Sequence, residues 1–191
     1  MIKKGASLDD LEKISKINIK NPKKYFKELE KFSKPEPIPI DDKITINLIA
    51  GDTEKGLTHI WLRHIMGYES NEKATSFFPM GQTVNGKKLP KIIDDANELK
   101  EIIKKAIDEN KKEFFKDKND NPKIRYNYTK NGKIIEIVLM FKKDKTGAYN
   151  LMTMYPEKGE GVYMYAPKKP NEKWKTWKRN DNGELVETWT N

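Results

Sequence analysis

The chain has 191 residues, 38 Lys+Arg against 29 Asp+Glu for a net charge of +9, and no cysteine. Disulfides, thiolate nucleophiles and cysteine-ligated zinc are therefore excluded. The length admits one domain with an appendage or two small ones, and no apolar run approaches the ~20 residues that a membrane-spanning helix needs.

Hydrophobic residues make up 36% and charged residues 35%, but the apolar ones are concentrated in segments separated by Lys/Asn-rich stretches. That pattern fits a folded core with heavily solvated surfaces better than disorder. The positive balance points to a polyanionic partner, nucleic acid first, then an anionic membrane or an acidic inhibitor protein. Met1-Ile2-Lys3-Lys4-Gly5 is not followed by an apolar h-region. A signal peptide is therefore not expected, and a cytoplasmic site of action without a membrane partner is.

In chain order, Leu8, Leu11, Ile14 and Ile17 keep helical spacing behind Ser7 and two aspartates. Asn21-Pro22 breaks this and starts a second helix through Tyr25, Phe26, Leu29 and Phe32. Pro35, Pro37 and Pro39 then predict a stiff, extended linker. Ile44 to Ile49 is β-branched and reads as a strand. Gly51-Asp52 closes it, with Asp52 or Thr53 as the expected cap of a helix carrying His59 and His64. Residues 71–90 read as irregular. The stripe Ile92, Ile93, Ala96, Leu99, Ile102, Ile103, Ala106 and Ile107 predicts a core-facing helix that runs on to Phe114-Phe115.

Three strands follow: 124–129, then 133–142 after the turn dipeptide Asn131-Gly132, then 149–155, ended by Pro156. Two further candidates are 162–165 and 174–188, the second holding the turn residues Asn180-Asp181-Asn182-Gly183. Helices first and a meander after is an α+β order. The expected units are a helical N-terminal extension with a proline-rich linker (1–40), a main domain (41–160) of helices packed on a curved antiparallel β-meander, and a basic β-rich tail (161–191) packed on it.

His59 and His64 are the only histidines, and histidine is the side chain whose ordinary pKa lies nearest neutrality. On a regular helix they are about 140° apart, so they converge only if the helix is short, ends between them or faces a cleft broadly. That argues against a shared metal, and the pattern of histidines four apart with an intervening Glu is missing. Glycine-rich phosphate loops, a Gly-x-Ser-x-Gly elbow and a closely spaced carboxylate set are missing too. Histidine and arginine in a basic chain with a meander suit metal-independent RNA cleavage: a base takes the ribose 2′-OH proton, an acid protonates the departing 5′-oxygen, and cations stabilise the transition state. The product is a 2′,3′-cyclic phosphate.

Gly51-Asp52 through Gly56-Leu57-x-His59-Ile60-x-x-x-His64 resembles the N-terminal motif of the barnase–EndoU–colicin–RelE (BECR) nuclease superfamily, in its phage-associated and polymorphic-toxin branches. The strand end Thr153-Met154-Tyr155-Pro156 is similar to that family's late strand. The resemblance covers residues 44–157. It implies a metal-independent endoribonuclease without cofactor, a toxin or phage/mobile-element nuclease. The partners it implies are RNA, with tRNA among the candidates, and an acidic immunity or antitoxin protein. Carried over residue by residue, His59 and His64 transfer protons, Thr153 and Tyr155 contact phosphate from one face of a strand, and Arg63 stabilises charge; Arg125 is a second cation for that role on the strand reading alone.

Each of these residues also has an ordinary structural reading. Either histidine fits as a core or capping residue, and Thr153 and Tyr155 are good strand formers. Lys173, Trp174, Lys175, Trp177, Lys178 and Arg179 read either as a stacking and charge surface for single-stranded nucleic acid or as the solvated face of a hairpin whose tryptophans cover a sheet. The competing functional reading is a non-catalytic, basic nucleic-acid-binding phage or mobile-element protein.

Overall fold

The computed structural model describes residues 16–111 and 120–191. Among them are three α-helices and eleven β-strands in an α+β arrangement. The expected first helix over Leu8, Leu11 and Ile14, and the extension to Phe114-Phe115, lie outside the described residues.

Helix α1 (Pro22–Phe32) opens with proline in its first turn and buries Tyr25, Phe26, Leu29 and Phe32, the one-face spacing seen in the sequence. The proline run expected as a linker is strand β1 (Glu36–Pro39), paired antiparallel with β2 (Thr45–Leu48). The Ile40 N–H donates inward to the Ile44 carbonyl. By alternation Pro37 and Pro39 point their missing donors outward, at the sheet edge, where proline costs no ladder bond. Lys100 and Lys104 of helix α3 (Ala96–Glu109) bind Glu36 at 3.4 and 2.9 Å and tie this edge down.

The meander is β6 (Lys123–Lys130), β7 (Lys133–Lys143) and β8 (Tyr149–Lys158). Asn131 and Gly132 both take positive φ, 52° and 71°, in the first hairpin turn. The order in this curled, mixed sheet is β1-β2-β8-β7-β6, because β2 joins β8 in parallel. That parallel pairing was not expected. Strand β8 runs through Pro156 rather than stopping there, since a register shift beside Ile137 accommodates the proline.

Helix α3 covers one face of this sheet. Leu99, Ile102, Ile103, Ala106 and Ile107 are buried against Ile135, Ile137, Leu139, Met154 and the α1 aromatics. Asp95 caps α3 by accepting from Glu98 N at 2.9 Å, and the Glu98 carboxylate in turn accepts from Asp94 N at 2.5 Å. Ile92 and Ile93 therefore precede the helix. Lys130 bridges Asp94 (2.7 Å) and Glu98 (2.6 Å), joining the end of β6 to the start of α3.

Residues 71–90, expected to be irregular, hold β3 (Thr75–Phe77) and a hairpin of β4 (Thr83–Val84) and β5 (Lys87–Lys88). Its turn is Asn85-Gly86, with φ of 46° and 79°, the same dipeptide signal as Asn131-Gly132. Strand β3 joins β9 (Tyr163–Tyr165), β10 (Trp174–Arg179) and β11 (Leu185–Thr190) in a second sheet ordered β11-β10-β9-β3. The tail is thus built into the molecule around a strand from residue 75. No helix among the described residues is long and apolar enough to cross a membrane.

Candidate active site

Helix α2 (Gly56–His64) carries both histidines. Its approach is a tight loop. Gly51 has φ +72°, and a Cβ there would lie 1.9 Å from the Lys55 carbonyl oxygen. Asp52 does not cap the helix as expected. Its Oδ1 accepts from Glu54 N at 2.8 Å and Lys55 N at 3.2 Å, closing the loop before the helix begins. Thr53 does not cap it either: Lys55 is the N-cap residue, with no side-chain capping bond. The first helical N–H groups instead reach back to the end of β2: Leu57 N donates to Ile49 O at 3.0 Å and Thr58 N to Ala50 O at 2.9 Å. This geometry turns the Thr53 carbonyl onto His59 Nδ1 at 2.7 Å.

His64 Nδ1 meets the Ser76 carbonyl at 2.8 Å. A carbonyl only accepts, so both Nδ1 atoms carry hydrogen, and in the neutral rings both Nε2 atoms are acceptors. The ring centroids are 5.9 Å apart and edge to face at 83°. The helix is nine residues long and ends at His64, so the short-helix condition for convergence is met. His64 also stacks on Tyr155 at 6.0 Å and 29°.

Strand β2 pairs with β8 only at Tyr149 and Asn150; farther along β8, α2 and β3 pack against it. This places the histidines beside the sheet face opposite α3. Cross-strand partners share a face, so Arg125, Val138 and Tyr155 form one row and Lys123, Met140 and Thr153 the next. Met152 is the extra residue of a bulge, which leaves Leu151 and Met154 in the core and Thr153 and Tyr155 together on the open face. Arg125 Nε donates to Glu157 at 3.3 Å. Glu136 shares a side-chain hydrogen bond with Glu157 and pairs with Lys158 at 3.7 Å.

Burial sets the charge states. It pushes His64 down to about 3, helped by the nearby His59 and Arg63 and opposed by the bond to Ser76. It also lowers His59, with Arg63 adding to the effect and the Thr53 bond, Asp52 and Glu69 opposing it. Burial raises the Tyr155 phenol, and the Glu157 charge raises it further. Glu136 is raised by burial and by its bond to Glu157. For Glu157, burial pulls upward but is outweighed by that bond and by Arg125, so its carboxyl is held low.

Of the residues that the sequence singled out, His59, His64, Thr153, Tyr155 and Arg125 therefore share one region. Arg63 lies close enough to lower both histidines, but its guanidinium is engaged by Ala74 O at 3.3 Å and Glu69 at 3.9 Å. Glu136 and Glu157 were not among the expected site residues. Their alternation with Val138 and Tyr155 was readable, but the bulges that align them were not.

The tail candidates are distributed otherwise. Trp174 and Trp177 are buried, at 3% and 6% exposure, in two different core clusters, so neither offers a ring face for stacking. Lys175 pairs with Glu187 at 2.8 Å and Arg179 with Glu160 at 2.6 Å. Lys173 and Lys178 are exposed. Among the described residues, no group of three or more His, Cys, Asp or Glu side chains converges as a metal site. A groove of about 830 Å³ between α1 and the β4–β5 hairpin lies elsewhere, and no candidate residue lines it. Compared with protein-family models, curated proteins and solved structures, the chain matches none.

Proposed function

We propose that the chain is a metal-independent endoribonuclease that cleaves RNA through attack of a ribose 2′-OH on the adjacent phosphate. The observation that carries this is the meeting of His59 and His64, 5.9 Å apart, with both Nδ1–H groups anchored on carbonyls and both Nε2 acceptors left for other partners. Anchoring one ring nitrogen on a carbonyl fixes the tautomer and aims the other at its task.

His59, the more exposed ring, is the base. Its Nε2 takes the 2′-OH proton as the O2′–P bond forms. The P–O5′ bond then breaks, and the leaving oxygen takes a proton from the Tyr155 phenol, which solvent replenishes. His64 is neutral at physiological pH, so it holds Tyr155 and accepts hydrogen bonds rather than supplying a proton. Arg125 stabilises the phosphorane-like charge, and Thr153 positions the phosphate. No step uses a metal or cofactor. A histidine helix ahead of a meander, with the site on the sheet face away from α3, supports a BECR-like nuclease. A toxin or phage/mobile-element role, RNA as substrate and an acidic immunity partner belong to the same proposal. An oligoribonucleotide with a single unmodified ribose among 2′-O-methyl sugars tests the chemistry. Cleavage only after that ribose is expected, and cleavage of a fully 2′-O-methylated strand would sink the mechanism.

The burial of His64 favours one competing reading, a nucleic-acid-binding protein in which the histidines pack. It predicts salt-sensitive RNA binding with no strand scission.

A further inference from the structure

A second groove, of about 450 Å³, opens on the sheet β11-β10-β9-β3. Its floor is a row of hydroxyls: Tyr163, Thr176 and Thr188 are cross-strand neighbours on one face, with Thr190 beside them. Lys87, Lys133, Lys178 and Arg179 line it against one carboxylate, Glu160. Arg179 is neutralised by Glu160. Among the described residues, Lys87, Lys133 and Lys178 have no carboxylate partner. Lys87 is held in place, its Nζ donating to Thr190 at 3.1 Å and lying 5.4 Å over the Trp174 ring. Three unneutralised ammonium groups over a bed of hydroxyls form a receptor for phosphate oxygens.

The groove is also connected to the candidate active site. Tyr163 pairs across strands with Phe77, and the preceding Ser76 is the carbonyl that anchors His64.

We infer that this groove is a second RNA-binding site that grips the phosphodiester backbone of a single strand outside the point of cleavage. It rests on the ribonuclease reading for its ligand, but its test does not depend on cleavage. The affinity of a fluorescein-labelled oligouridylate is measured by anisotropy across a salt series in a His59→Ala background, with Lys87→Gln/Lys178→Gln added. Glutamine keeps the Lys87 stem on Trp174, so folding is retained. Removing two phosphate contacts should lower affinity about tenfold at moderate salt and flatten the log–log salt slope by about 1.4. Lys105→Gln, on the exposed side of α3, is the control for simple charge loss and should leave the slope unchanged. An unchanged slope in the double variant, or an equal change with Lys105→Gln, overturns the groove. Absence of RNA cleavage by the unaltered protein, with the groove's salt response intact, contradicts the ribonuclease reading and not the groove.

Discussion

Among single residues, His64 is 5% exposed and has its one ring proton committed to Ser76. A histidine in the unfolded chain titrates near its ordinary 6.5, whereas folded His64 titrates at about 3. Above the ordinary value both states are neutral and the difference contributes nothing. As pH falls through it, the unfolded chain gains a proton that the folded chain refuses. Stability then drops by up to about 1.4 kcal/mol per pH unit until the folded value is reached. His64→Asn keeps a donor toward Ser76 but cannot titrate. Urea unfolding between about pH 7 and about pH 5 should therefore show the unaltered protein losing about 2 kcal/mol more than this variant. Equal losses would mean that His64 accepts a proton in the folded state. His59 is also lowered, so the acid limb of activity should lie below the ordinary histidine value of 6.5. A limb above it would remove His59 as the base.

Among the elements, the loop before α2 decides where the histidines point. Gly51→Ala would place a methyl against the Lys55 carbonyl from a left-handed backbone. It should cost at least ~2 kcal/mol in urea unfolding, with cleavage falling further than the loss of folded protein accounts for. Unaltered stability would mean the loop opens without consequence. Asp95→Ala, at the start of α3, removes an ordinary cap and should cost about 1 kcal/mol, a melting shift of about 2–4 °C, with cleavage retained. These elements differ in how far the sequence exposed them. The α3 stripe and the α1 aromatics were legible because a one-sided helix repeats every three or four residues. Strand β1 was not, because prolines on an outward-facing edge look like a linker until the neighbouring strand is known. The β4–β5 hairpin was read as irregular because its strands are only two residues long and carry no alternation of their own, so the Asn85-Gly86 dipeptide stood without flanking strands to mark it as a hairpin turn.

Across the molecule, helix α1, the main sheet with its helices, and the tail share one core. Trp61 of α2 donates to the Tyr25 carbonyl of α1 at 3.0 Å, and Trp177 of the tail lies in the same cluster as the α3 stripe. Trp177→Ala should therefore act on folding, costing about 3–5 kcal/mol in urea unfolding. A fully stable variant would contradict this packing role. The histidines, Tyr155 and Arg125 stood out in the sequence as separate candidates. That they meet was hidden, because the meeting depends on where β2 leaves β8 and on the bulge at Met152. Both are long-range pairings with no local signature. The same limit hid Glu136 and Glu157, and it scattered the groove residues from Lys87 to Thr190 across the chain.

The decisive measurement incubates purified protein with total RNA in the presence of EDTA, followed by analysis of fragment ends for the unaltered chain and for His59→Ala. EDTA-resistant fragments ending in 2′,3′-cyclic phosphate, reduced by orders of magnitude in the folded His59→Ala variant, are expected. Intact RNA, or undiminished cleavage by His59→Ala, would contradict the assignment of this site.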